Sequence, residues 1–136
     1  MVLDSILSSS RAMVLEQALS AASLRQKTIS NNIANVNTPD YKKSEVLFED
    51  MLQNAMSGDK MPMMQTNARH LSPQQAGIPT PKIMVSTNTS IRKDGNNVDI
   101  DVEMANLAKN SIYYNAVVQQ LSSYYSGLKS VIKEGR

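Results

Sequence analysis

Two apolar ladders, one near each end of the chain, constrain its fold more than any other feature. Near the N-terminus, Leu15, Leu19, Ala22, Gln26, Ile29, Ile33 and Val36 follow one another in steps of 4 and 3. Near the C-terminus, Met104, Leu107, Ser111, Tyr114, Val118, Leu121, Tyr125, Leu128 and Ile132 keep the same alternation over a longer stretch. Steps of 3 and 4 average 3.5 residues, the spacing that holds one seam of a helix against a partner helix. Each ladder therefore predicts a long helix, packed along the other or along copies of itself. Any amphipathic helix in a small bundle shows such spacing for a few turns. Length without slippage, and a ladder at both termini, favour a coiled coil. Gln26 and Ser111 interrupt the seams, and polar residues at such positions fix register at a cost in stability.

The rest of the chain does not read as a second core. Its 136 residues suffice for one domain. Hydrophobic residues make up 41%, but only 4% is aromatic, with one Phe and no Trp. Bulky anchors are confined to the ladders, which predicts an elongated shape with a thin core that neighbours complete. The formal charge is +2, and Lys42–Lys43 and Arg92–Lys93 are the only basic pairs. Without a basic stripe, nucleic acid is disfavoured as a partner. The absence of Cys excludes disulfides, thiol nucleophiles and Cys-ligated zinc. Asp4 stands where a secretory leader carries positive charge, and Ala12–Leu15 is too short for its apolar region. No stretch approaches the ~20 apolar residues of a membrane span. The expectation is a chain that inserts in no membrane and, if exported, leaves without a cleaved leader.

Along the chain, Ser8, Ser9 and Ser10 are candidate caps for a first helix running from Arg11 to about Asn35. Asn35 and Asn37 tolerate left-handed backbone, and Pro39 biases Thr38 away from helix, so the helix ends there. Val46 and Phe48 alternate onto one face of a short extended piece, with Glu45 and Glu49 pointing away. Met51, Leu52 and Met56 continue as a short helix. From Ser57 to about Ile91, glycines and prolines break every periodic run, and Lys82–Thr89 is the one candidate strand. Asp94–Gly95–Asn96–Asn97 is a turn signal. Val98, Ile100 and Val102 then alternate as a short strand. Asp101 is the expected cap of the second long helix, and Glu103 favours its positive end. That helix runs to about Lys133 and contains Gly127, which marks either a close backbone approach or a weak spot. The chain divides into an N-terminal segment of residues 1–52, an irregular middle of residues 53–93 and a C-terminal segment of residues 94–136, all within one structural domain.

No constellation of catalytic residues stands out. His70 is the single histidine and lies in the interrupted middle. Asp94, Asp99, Asp101 and Glu103 do not follow a calcium loop, which needs glycine sixth and glutamate twelfth. Counted from Asp94, Gly95 is second and Ala105 twelfth. No cofactor or metal is expected, and an enzyme is the least supported class. Tyr113, Tyr114, Tyr124 and Tyr125 suit either a core or a partly wet subunit interface. Asn31, Asn32, Asn35 and Asn37 fall within seven residues at a helix end. That is either a fraying, solvated terminus or a set of amides that fixes the turn or reaches a neighbour.

The segment Ser30-Asn-Asn-Ile-Ala-Asn-Val-Asn-Thr-Pro-Asp-Tyr41 closely resembles the signature of the bacterial flagellar axial proteins, the rod, hook and hook-associated families. Asn31, Asn32, Ile33, Ala34, Asn35, Asn37, Thr38 and Tyr41 match it position by position. Within that family the chain is most similar to the small proximal rod proteins. It is short, without a large inserted domain. Val46-Leu-Phe-Glu49 and Thr66-Asn-Ala-Arg-His-Leu71 resemble their segments, as does Asp94-Gly-Asn-Asn-Val-Asp-Ile-Asp-Val-Glu103 followed by Leu107-Ala-Lys-Asn110. Asn96, Asn97, Asp99 and Asp101 belong to that last resemblance. A second kind of small rod protein carries a Gly-Pro-Tyr step after the signature, whereas Pro39-Asp-Tyr41 follows here.

The resemblance implies a mostly α fold: two long terminal helices in an antiparallel coiled coil, joined by a short, partly extended, irregular middle. It implies a structural subunit of the proximal rod of the basal body. That subunit polymerises through its terminal helices, links the membrane ring to the rest of the axle and transmits torque. The implied partners are copies of itself, other rod proteins, the protein at the membrane-ring junction and the flagellar type III export machinery. The implied location is outside the cytoplasmic membrane, periplasmic in a two-membrane cell. Another small axial rod protein, or a coiled-coil docking module without enzymatic activity, are the alternatives.

Overall fold

The computed structural model describes residues 10–56, 78–87 and 94–134. Two long helices dominate: α1, Ser10–Ala34, and α3, Ile100–Glu134. Between them lie strand β1, Ser44–Leu47, the short helix α2, Glu49–Met56, and strand β2, Lys82–Val85. Ser8, Ser9, His70, Met61, Met63, Met64 and the Arg92–Lys93 pair lie outside the described residues.

Helix α1 packs through small side chains. Ala12, Ala18, Ala21 and Ala22 are buried, with Thr28, Ile29 and Asn32 farther along the helix. Alanine has the highest helix propensity and leaves room for a neighbouring backbone. The contacts with α3 run in opposite order along the two helices. Asn32 meets Glu103, Ala22 and Gln26 meet Asn110, and Glu16 meets Tyr125. Ala18, Ala21, Phe48 and Val117 form the apolar centre, flanked by Leu15, Leu19, Leu52 and Tyr113. Phe48 is the bulky anchor that composition leaves available. Burying it contributes about 1.5–3 kcal/mol.

Strands β1 and β2 pair antiparallel, with Ser44 opposite Val85 and Leu47 opposite Lys82. The alternation of Val46 and Phe48 holds, since both are buried while Glu45 and Glu49 are exposed. The strand expected from Lys82 ends at Val85, and residues 88 and 89 lie outside the described set.

Four local expectations are corrected. Left-handed backbone falls at Asp40, with φ of 58°, rather than at Asn35 or Asn37. The strand expected at Val98–Val102 is absent, because Ile100 already opens α3. Asp99, not Asp101, caps that helix. Its Oδ1 accepts from the amides of Asp101, at 3.0 Å, and Val102, at 3.4 Å. Gly127 has no atom within 4 Å of where a Cβ would stand, so it marks no close approach among the described residues. Its effect is a loss of helix propensity of about 1 kcal/mol against Ala.

The face that α3 turns toward α1 also differs from the ladder. Its buried residues are Glu103, Asn110 and Val117, one position before Met104, Ser111 and Val118. Leu107, Leu121 and Leu128 are half-buried. At 3.6 residues per turn, this rotates the contact face by roughly 50° from the ladder's centre. The polar groups of Glu103 and Asn110 set that rotation, because each bonds to α1. Among the described residues, no helix is long and apolar enough to cross a membrane.

Candidate assembly interface

The asparagine cluster is half of a buried polar knot; the turn before α3 supplies the other half. Asn32 lies in the last turns of α1 and is 1% exposed. Its Nδ2 donates to the Ser44 carbonyl at 2.8 Å and to Glu103 Oε2 at 3.0 Å. Its Oδ1 accepts from the Ser44 amide at 3.0 Å and the Tyr41 hydroxyl at 3.3 Å. One amide thereby uses both donors and both acceptor positions, joining α1, β1, the loop between them and α3.

Asn96 closes the end of α1 from 60 residues away. Its Nδ2 lies within hydrogen-bond distance of the carbonyls of Asn35, Val36 and Thr38, at 3.0, 3.1 and 2.9 Å. The last carbonyls of a helix lack intrahelical donors, and here a distant side chain supplies one. Asn96 Oδ1 accepts from the Val98 amide at 2.7 Å, which holds its own loop in place. Asn97 extends the strand pairing by one step. Its Oδ1 accepts from the Lys43 amide at 2.6 Å, and its Nδ2 donates to the Ser86 carbonyl at 2.9 Å.

The turn itself requires unusual backbone. Gly95 has φ of 80°, and a Cβ there would collide with Asp40 Oδ1. The Asp40 amide donates to the Asp94 carbonyl at 2.9 Å, and Lys42 Nζ donates to the Gly95 carbonyl at 2.7 Å. Two left-handed residues thus meet where the loops touch.

The structure divides the signature between an inner and an outer set. Asn32, Asn35 and Tyr41 bond inward or locally, with Asn35 Nδ2 donating to the Asn31 carbonyl at 2.8 Å and Asn35 Oδ1 accepting from the Thr38 hydroxyl at 3.2 Å. The side chains of Asn31, Asn37 and Thr38 are exposed. In the turn segment, Asn96 and Asn97 are buried, Asp99 caps α3, and Asp101 is exposed in its first turn. Glu103 and Asn110 matter more than the sequence suggested. Their seven-residue spacing, continued by Val117, was the available signal.

Of the ladder residues, Ala22 and Ile29 are buried, while Leu15, Leu19, Ile33 and Val36 are half-buried. On α3, Leu107, Leu121 and Leu128 edge the contact with α1. Met104, Tyr114, Val118, Tyr125 and Ile132 are 52, 39, 38, 39 and 57% exposed. Met104, Tyr114, Val118 and Ile132 thus form a second row beside the one already in contact, while Tyr125 in the same row reaches α1. Tyr125 donates its hydroxyl proton to Glu16 at 2.7 Å, which raises the tyrosine pKa. Among the described residues, no group of three metal-ligating side chains comes together.

The sequence has relatives among known proteins. A family model described as flagella basal body rod protein matches residues 14–42, which span most of α1 and the signature. The flagellar basal body rod protein FlgB of Bacillus subtilis is 39% identical over 122 residues, covering 90% of this chain and 92% of that protein. FlgB of Borrelia hermsii is 35% identical over 85% of this chain and 90% of its own length. FlgB of Escherichia coli K12 is 28% identical over 88% and 91%. The chain belongs to the FlgB family of flagellar basal body rod proteins, structural components of the basal body and not enzymes.

Proposed function

We propose that this chain is a subunit of the proximal rod that polymerises through α1 and α3, pairing with copies of itself and with other rod proteins. The outward apolar row of α3, from Met104 to Ile132, carries this reading. It sits beside a seam that α1 already fills, so α3 has one face for its own chain and one left for a neighbour. Within the chain, α1 and α3 form an antiparallel coiled coil whose polar knot fixes the register at one end. The seam residues from Leu15 to Val36 and from Leu107 to Ile132 act together in the assembled rod. Residues 1–52, 53–93 and 94–136 are segments of one structural domain.

The subunit links the membrane ring to the rest of the axle, meeting the protein at that junction, and transmits torque through interdigitated helices. It crosses the cytoplasmic membrane through the type III export machinery and lies in the periplasm of a two-membrane cell. A thin, alanine-rich contact between long helices suits a chain that must unfold for passage. Helices in proteins draw most of their stability from tertiary packing, and the rod supplies that packing after export.

Val118→Asp tests the reading. Val118 is exposed in the isolated chain, so the substitution leaves its melting temperature unchanged and abolishes swimming. Full swimming in cells carrying only this variant would show that the outer row is not an assembly face.

A further inference from the structure

The row by which α3 meets α1 does not stop where α1 does. Glu103, Asn110 and Val117 stand seven residues apart and are buried. Tyr124 comes next and is half-buried. Val131 is the following member of the row, yet it is 69% exposed. Rotation does not carry Val131 off that face, because even a straight helix drifts by only about 20° per heptad.

What Val131 lacks is a neighbour on α1. Asn32 meets Glu103, and Ala22 meets Asn110. Counted outward at equal rise, Ser10 stands opposite roughly residues 122–125 of α3. The Tyr125–Glu16 bond fits this level, since side chains lean toward the N-terminus of their own helix and these two reach past each other. Farther out, α3 continues to Glu134 with no described part of α1 opposite. A Cβ built at Gly127 accordingly meets open space.

The sequence ahead of α1 has the matching pattern. The face of α1 turned to α3 includes buried Ala21 and Thr28, with Val14 half-buried seven residues earlier. One more step of seven reaches Leu7, and Leu3 lies a turn before it. Val2, Leu3, Ile6 and Leu7 alternate in pairs with Asp4, Ser5, Ser8 and Ser9. That spacing separates an apolar from a polar face on a helix.

We propose that in the assembled rod residues 1–9 extend α1 and close the seam over the tip of α3 in the same chain, with Leu7 beside Tyr124 and Leu3 beside Val131; this rests on the rod reading above. Continuity selects this occupant over a second copy. The row, its seven-residue step and its direction are those of the contact already made within the chain. Ile132, one position on, stays in the outer row and remains open to a neighbour. Two leucines against one helix bury little apolar surface, and regions with few such contacts open easily. The seam therefore closes in the rod, where a neighbour on the outer row holds α3 in place.

The chain has no Cys, so two introduced cysteines report the contact without background. Leu3→Cys with Val131→Cys is expressed as the only copy. Basal bodies are purified and oxidised, and remaining thiols are labelled with a maleimide. The expected result is a chain of monomer size with both thiols consumed. Disulfide-linked dimers would assign the tip to a second copy's segment and overturn the proposal. Thiols that stay reactive in incorporated chains overturn it too, and either result leaves the rod reading intact. Absence of even the unaltered chain from basal bodies overturns that reading and the proposal with it. If the cysteine variant alone fails to incorporate, a charge pair decides. Leu3→Glu puts a lone charge in the seam and should lower swimming roughly tenfold, and adding Val131→Lys should restore most of that loss. An unaffected single variant, or a double variant no better than the single one, overturns the contact. A fault in export alone would not be repaired from α3.

Discussion

At the scale of single residues, the amides at the end of α1 make the fold specific. Asn32 has both donors and both acceptor positions engaged inside the protein. Asn32→Ala should therefore destabilise the isolated chain by about 2–4 kcal/mol, because it leaves several buried partners unmatched. Asn37→Ala, at an exposed position, should change stability by less than about 0.5 kcal/mol. Urea titration of the two variants checks both, and equal losses would mean that the signature is not divided into inner and outer halves. The Asn cluster was visible in the sequence, but its division was not. That division depends on Ser44 and Glu103, which only the folded chain brings to Asn32. Nor could spacing alone show that Asn96 caps a helix 60 residues away.

The Arg25–Glu49 pair is the other residue-scale test. Burial pushes the Glu49 carboxyl up. The 2.5 Å hydrogen bond from Arg25, its own backbone amide and the charges of Arg25 and Lys109 outweigh this and leave it below the ordinary value. A lowered carboxyl pKa stabilises the fold above the unfolded glutamate value of about 4.3, and that contribution is lost as pH falls below it. The pair is half exposed, so the effect is at most about 1 kcal/mol. Melting of the chain and its Glu49→Gln variant should differ at pH 7, and the difference should vanish as the pH falls through the lowered pKa of that carboxyl. A difference that persists at the lower pH would contradict this account.

At the scale of elements, α1 and the span of α3 were legible because their periodicity is long and their ends are marked. The face of α3 was not. Apolar spacing favoured Met104, Ser111 and Val118, but buried polar bonds from Glu103 and Asn110 turned the helix to another row. A ladder counts apolar side chains and is blind to a glutamate held by an asparagine. The false strand at Val98–Val102 has a similar origin. Alternation is real there, but Asp99 offers its carboxylate to two free amides and starts a helix instead. On α1, Ile33 lies one position beyond Asn32 and is half-buried. Ile33→Asp brings a charge to the seam, at a desolvation cost that apolar packing cannot offset. Swimming should be lost, and normal motility would contradict burial of α1 in the rod.

At the scale of the whole molecule, stability is uneven along the helix pair. One end holds the knot, with buried Asn32, Asn96, Asn97 and Glu103 beside Phe48 and Val98. The other end holds alanines of α1 against an α3 whose Val131 and Ile132 are 69 and 57% exposed. Local opening is easiest where few apolar contacts are buried. The free subunit is thus firmer at the knot than at the tip, the end that the proposed assembly would complete. The thin core was legible in the composition, because a chain with one Phe and no Trp has few anchors to spread over two helices.

Hydrogen exchange, compared between the isolated chain and assembled rods, tests this most directly. Protection in the free chain is expected at residues 28–47 and 96–110, with rapid exchange over 118–134. In rods, the latter segment should become strongly protected. Uniform, cooperative protection along all of α3 in the free chain, unchanged on assembly, would contradict it. The helix pair would then be complete by itself, and the outer apolar row would have no role in building the rod.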